Sequence, residues 1–353
     1  MNSSQRDILT RLRELPYFTP GLRGTGGEIK AEPRLFIVEE IPLYEPSGEG
    51  PHVYVSLTRE GWTTRALVRE LQRIFDLRDV DVGFAGQKDK HARTTQTFSL
   101  NLPNVDDESV ARRINKNLPV AVEWVRRHRN KIRAGHLLGN RFYIVVVNPQ
   151  DGALERARAI AEALREHGLP NFYGSQRFGT YEDNAERGEK ILLTGAGPRK
   201  RWLRRLLLRA YQSALFNTWL VARIDRGWFQ RLLAGDVAKK LDTGGLFEVE
   251  DLEAERARFE SGDITYTGPI YGSRMWWAEG EPGQLEREVL ERGKVTEHML
   301  DRERLNGSRR RARLLLDDLG VEEHPDGLLF TFSLPKGSYA TTVLREFMKG
   351  KSG

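Results

Sequence analysis

Apolar positions along the first half of the chain follow two periods. Phe36 to Ile41 (FIVEEI) reads as a strand, and Val53, Val55 and Leu57 repeat every second residue, the spacing of a half-buried strand. Glu49-Gly50-Pro51-His52 marks the turn before the second of these. Leu67, Leu71, Ile74 and Phe75 then share one helical face through Phe75, with Thr63 or Thr64 available as the cap. Further strands are predicted at Thr97 to Leu102, Val120 to Val125 and Phe142 to Val147. A helix capped by Asp151 carries Leu154, Ala157, Ile160, Ala161 and Leu164, and Gly168 with Pro170 stops it. Gly21 to Gly27 (GLRGTGG) has the glycine content of a dinucleotide loop, but no strand precedes it and no helix follows, which excludes that reading.

Beyond about residue 170 the pattern changes. Arg201 to Ile224 is one long helical run with Leu203, Leu206, Leu207, Ala210, Leu215, Phe216 and Leu220, ended by Gly227. Asp236 to Lys294 is rich in Gly, Glu and short polar loops, and Thr267 to Gly272 (TGPIYG) reads as a turn between hydrophobics. Strand spacing returns at Leu328 to Leu334, and a short amphipathic helix is predicted over Thr341 to Lys349. There is no internal repeat. Short connections between mixed elements point to an α+β domain, and the late return of a strand implies that the middle of the chain is an insertion into one sheet.

The chain has 353 residues, enough for two domains or one with a large insertion. Its formal charge of +6 is compatible with an anionic partner without identifying one. It has no cysteine, which removes disulfides, Cys-based zinc sites and thiol catalysis together. The polar residues 1–13 lack an apolar signal core, and no apolar run approaches a bilayer span. The expectation is a cytoplasmic protein.

One segment concentrates candidate chemistry: Gly83-Phe84-Ala85-Gly86-Gln87-Lys88-Asp89-Lys90-His91-Ala92-Arg93-Thr94-Thr95-Gln96. A carboxylate between two lysines is expected to stay ionised, and an ionised carboxylate serves as nucleophile, base or metal ligand. A bare KDK triplet is more often a solvated turn; the longer pattern singles out Asp89. Basic clusters recur at Arg126 to Arg133, Arg199 to Arg209 and Arg309 to Arg313. Each alone reads as a solvated face, but three together favour a polyanion held through its phosphates. Phe36, Phe142 and Phe332 could stack on bases, although on pattern alone they belong to a core. The seven histidines show no ligand spacing, so no metal is expected, and no Walker loop, nucleophile elbow or H-E-x-x-H helix occurs.

These residues carry a family resemblance. AGxKDxxAxTxQ is read from Ala85 to Gln96. NKIRAGHLLGNRF spans Asn130 to Phe142, NFYGSQRFG Asn171 to Gly179, AYQSALFN Ala210 to Asn217, TGPIYG Thr267 to Gly272, and FSLPKGSYATTVLREF Phe332 to Phe347. Six motifs in family order resemble the TruD family of tRNA pseudouridine synthases over most of the chain. The resemblance implies the pseudouridine synthase catalytic fold, a mixed and mostly antiparallel sheet with helices, over residues 1–170 and 306–353. It also implies an inserted α/β TRUD domain over residues 171–305, with RNA in the cleft between them.

The family's catalytic aspartate falls on Asp89. Phe36, Asn140 and Phe332 would position the target base, with Phe142 close by, and Lys30 would pair with Asp89. Lys88, Lys90, Arg204 and Arg205 are candidate contacts to the RNA backbone. Two departures stand out: Leu35 occupies the family's usual Asp before Phe36, and Lys90 stands where Arg is common. The implied reaction converts uridine to pseudouridine in tRNA, at uridine 13 of tRNA-Glu, by a monomer using no cofactor. Two other classes fit parts of the pattern. A non-catalytic RNA-binding protein would show the same basic clusters. A carboxylate-based nucleosidase requires a second carboxylate at fixed separation, which the sequence does not nominate.

Overall fold

The computed structural model describes residues 8, 15–30 and 32–349. Its chain falls into two compact units, one built from the described residues of 23–161, 316–340 and 347–349, the other from those up to 22, 162–315 and 341–346.

The first unit is organised by a nine-stranded sheet. Its early elements are β1 (Gly26–Ile29), β2 (Phe36–Pro42), β3 (His52–Arg59), α1 (Thr64–Phe75), β4 (Val82–Phe84), β5 (Arg93–Asn101), α2 (Asp107–Asn117), β6 (Ala121–His128) and β7 (Leu137–Pro149). Thr63 is the cap of α1, accepting from the Ala66 amide at 3.2 Å. Helix α1 sets Leu67, Val68, Leu71, Ile74 and Phe75 against Val53, Val55, Leu57, Phe98 and Leu100, so the two periods in the sequence meet in one core. Leu35, at the family's usual aspartate position, is buried with Val145 and Val147. An apolar contact there replaces whatever polar one an aspartate makes.

Helix α3 (Ala153–His167) leads into the second unit. There follow β8 (Leu169–Pro170), α4 (Asn184–Thr194), α5 (Arg201–Asp225), β9 (Val237–Lys240), β10 (Leu246–Glu248), α6 (Leu252–Glu260), β11 (Ile264–Ile270), α7 (Gly280–Arg292), α8 (Glu297–Arg302), β12 (Ser308–Arg311) and β13 (Arg313–Leu314). The insertion expected at residues 171–305 lies within this unit. The stretch from Asp236 to Lys294, expected to be loops, holds three strands and two helices, and TGPIYG runs largely along β11 rather than forming a turn. Gly268 is there because a Cβ would sit 2.2 Å from the Trp219 ring. Strands β9 to β12 form a four-stranded sheet in the order β10-β9-β11-β12. Helix α5 packs Tyr211, Leu215, Phe216, Trp219 and Leu220 into the core of this unit.

The chain then returns to the first unit through β14 (Gly320–His324) and β15 (Gly327–Pro335); the last described helix, α9 (Ala340–Met348), contributes residues 341–346 to the second unit. The large sheet has the order β14-β15-β7-β2-β5-β3-β6, with β1 on β7 and β4 on β5. Every pairing in it is antiparallel except β2 with β5. Among the described residues, no helix is long and apolar enough to cross a membrane.

Candidate active site

Asp89 lies in the connection between β4 and β5 and is exposed. Its Oδ1 accepts from the His91 amide at 3.0 Å, closing a tight local turn. Gly83, at the start of this motif, has a packing reason: a Cβ there would meet the Ile132 carbonyl oxygen at 2.2 Å. Gly86 has open space around it, so the backbone just before Asp89 can be approached from outside.

Strand register explains what lies under this loop. Phe36, Val38 and Glu40 of β2 pair with Ile144, Phe142 and Asn140 of β7. Phe142 in turn pairs with Phe332 of β15. Val38 also pairs with Thr94, which sets Thr94 and Gln96 of β5 on the same face, and Arg59 pairs with Thr94. One sheet face therefore gathers Glu40, Asn140, Gln96 and Arg59 beneath the Asp89 loop.

These groups form a connected polar lattice. Lys88 Nζ lies 3.2 Å from Glu40 Oε2, with the two side chains only 6% and 3% exposed, and it also donates to Asn140 Oδ1. Arg59, 1% exposed, donates from Nη2 to Gln96 Oε1 at 2.8 Å and to Thr64 Oγ1 at 3.0 Å. The Thr64 hydroxyl donates to Gln96 Oε1 at 3.1 Å. The loop backbone is gripped at three points, two of them by the lattice. The Lys88 amide donates to Thr64 Oγ1 at 2.9 Å, Gln96 Nε2 donates to the Gly86 carbonyl at 2.6 Å, and the Gly61 amide donates to the Lys90 carbonyl at 3.1 Å. Burial pushes the Arg59 guanidinium down to about 10, against the pull of Glu40. Burial also lowers Lys88, again opposed by Glu40. Two buried cations face one buried carboxylate, so the floor under Asp89 keeps an excess of positive charge.

Several sequence-derived residues thus change their part. Lys88, expected at the RNA backbone, is a buried member of the lattice, because Glu40 needs a counter-charge away from water. Lys90 remains exposed. Lys30 is exposed, and no ion pair with Asp89 forms among the described residues. Phe332 is 0% exposed and its ring stacks on Phe142 at 5.5 Å and 29°, so the core reading from strand alternation holds and no ring face is open to a base. Phe36 and Asn140 are half-buried on the same face. Arg204 is held by Glu303, with Nη2 to Oε1 at 2.6 Å and Nε to Oε2 at 2.8 Å, whereas Arg205 is exposed.

The Arg309–Arg313 cluster is likewise absorbed by the fold. Arg309 pairs with Glu286 at 2.7 Å, both side chains 1% exposed. Arg310 covers the Tyr173 ring at 4.0 Å, and Arg313 donates to the His167 carbonyl at 2.7 Å. Glu40, Arg59 and Thr64 were missed as site-forming residues. The signal was present: Glu40 continues the inward period of Phe36 and Val38, and Arg59 that of Val53, Val55 and Leu57. A charge at an inward position needs a partner. No group of three or more His, Asp or Glu side chains that could hold a metal occurs among the described residues.

Chemically, the arrangement offers one accessible carboxylate held on a fixed backbone above a rigid, positively charged floor. The sequence profile of tRNA pseudouridine synthase D (TruD) matches residues 13–196 and 199–347. A tRNA pseudouridine synthase D of Thermus thermophilus is 43% identical over 348 residues, covering 97% of this chain and 94% of that protein. One from an Anaeromyxobacter species is 42% identical, covering 96% of this chain and 97% of that protein. A crystal structure described as a tRNA pseudouridine synthase D from Methanosarcina mazei superposes with a TM-score of 0.75 at 26% identity, covering 97% of this chain and 98% of that one. With its motifs, its mixed sheet and these likenesses in agreement, the chain belongs to the tRNA pseudouridine synthase D family of isomerases.

Proposed function

We propose that this protein converts uridine to pseudouridine in tRNA, at uridine 13 of tRNA-Glu, with Asp89 as its catalytic carboxylate and no cofactor. The observation that carries the reading is the placement of Asp89: exposed, on a loop whose backbone is gripped at two positions by the buried side chains of Thr64 and Gln96 and at a third by the Gly61 amide. A carboxylate that must meet one sugar carbon gains from a fixed position, since effective molarity depends on orientation.

The reaction breaks the N1–C1′ bond of the target nucleoside, turns the uracil and joins C5 to C1′. C5 then gives up its proton and N1 carries one, so nothing is added or lost overall. Asp89 can begin it by attacking C1′ or by taking a ribose proton to give a glycal; both routes use the same oxygen atoms. The target must leave its stack, at a cost of a few kcal/mol. Phe36 and Asn140 are the half-buried groups of the sheet face that can meet the extruded base, with the Phe142–Phe332 stack as a firm backing. The positive floor favours the phosphates around the target. The protein acts as a cytoplasmic monomer.

Tritium release from tRNA labelled at uridine C5 tests the reading. The wild-type protein releases tritium without freeing uracil. Asp89→Asn binds the same tRNA and loses at least about 10³-fold in turnover. Near-normal turnover in that variant takes Asp89 out of the chemistry, and free uracil would indicate a nucleosidase instead.

A further inference from the structure

The basic run at the start of α5 stands apart from the Arg309–Arg313 cluster, most of which the fold absorbs. At 100° per residue, Arg201, Arg205, Arg209, Trp202 and Leu206 occupy one arc of about 140°. All five are exposed, Trp202 by 66%, whereas Leu207, Leu208 and Ala210, outside that arc, are buried. Arg199 and Lys200 precede them and are exposed too. None of these five cations forms an ion pair among the described residues, in contrast to Arg204 beside them.

Two features of this face work against the folded protein alone. Cations crowd the positive end of a 25-residue helix that has no acid in its first turn. A large indole stands in water with an exposed leucine one turn on. A polyanion carrying flat apolar groups removes both costs. Phosphates neutralise the arginine row, and an unstacked base covers Trp202.

We infer that the Arg201–Arg205–Arg209 row and Trp202 form a second tRNA-binding surface, with an unpaired nucleotide of the tRNA stacked on the indole. The inference rests on the reading of this chain as an enzyme acting on tRNA. It moves the backbone contact from Arg204, which Glu303 holds, to the outward row.

Filter binding of the full-length protein to an unmodified tRNA-Glu transcript, over a series of salt concentrations, tests it. Trp202→Ala weakens binding about tenfold, and Trp202→Phe recovers most of the loss. The triple change of Arg201, Arg205 and Arg209 to Gln lowers the slope of log affinity against log salt by about 2 to 3. These side chains are exposed, so the variants keep the parent melting temperature. Unchanged affinity in Trp202→Ala, or an unchanged slope in the triple variant, overturns the surface. A wild-type protein that fails to bind tRNA sinks the underlying reading instead.

Discussion

The Asp89 loop and the outer face of α5 both present charge to solvent, but on opposite foundations. Under Asp89 lies a buried lattice of Glu40, Lys88, Asn140, Gln96, Arg59 and Thr64. Under the α5 arginines lies an ordinary apolar core. Burying two cations and a carboxylate is expensive unless each finds a partner. An apolar core asks for no such matching. The contrast suits the roles proposed for the two regions. A reacting carboxylate needs its position fixed within a fraction of an ångström, and hydrogen bonds to the loop backbone give directions that apolar packing does not. Arginines that attract phosphates act over several ångströms and tolerate side-chain motion.

Removing buried charge sharpens this difference. The largest effect is expected for Lys88→Met, which leaves Glu40 buried without its ion-pair partner and with only Arg59 to oppose its charge. It destabilises the protein by about 3–5 kcal/mol, read from denaturant midpoints. Arg309→Met, which strands Glu286 in the same way, costs a similar amount. That variant is expected to leave the salt dependence of tRNA binding unchanged. Gln96→Leu removes the bond to Gly86 and leaves Arg59 poorly satisfied. It costs about 1–3 kcal/mol and lowers turnover with little change in tRNA affinity. A variant that loses stability but keeps full turnover would detach the lattice from the placement of Asp89.

On the helix side the effects are smaller. Arg204→Gln breaks a partly exposed pair and is expected to cost about 1 kcal/mol or less. Arg205→Gln alters stability by less than about 0.5 kcal/mol while reducing tRNA affinity. The smallest effect is one of pH. Burial first, then Lys131, holds His52 below its ordinary 6.5; burial and then Arg129 do the same for His128, whose Nδ1 accepts the Ser47 amide. The unfolded chain therefore takes up protons first as pH falls through 6.5, and melting temperature declines from pH 7 toward 5. Replacing both histidines with Gln flattens that decline.

Periodicity locates most of the large sheet and the helix α1, since Val53, Val55, Leu57 and Leu67, Leu71, Ile74 carry their burial in their spacing, whereas α2, which buries only Val110 and Ile114, and the short strands β1, β4 and β14 escape it. The insertion was harder to read. Strand β11 contains Gly268 and Pro269, which locally argue for a turn. A strand tolerates them here because Trp219 fills the space that a side chain at residue 268 would take. The six motifs pointed to the family and to Asp89 as the candidate carboxylate.

Local sequence could not sort the charges. Lys88 and Lys90 flank the same aspartate, and Arg204 and Arg205 are neighbours on one helix, yet one member of each pair is bound within the protein and the other faces water. Whether a cation points inward depends on where a carboxylate from a distant segment lies, Glu40 for Lys88 and Glu303 for Arg204. The chain by itself determined the strands and helices whose apolar spacing is regular, and through its six motifs the family, because both can be read without knowing what any residue touches. Tertiary structure alone decided which cations serve the fold and which remain for a ligand, because Coulomb and desolvation energies depend on distances that only the folded chain sets.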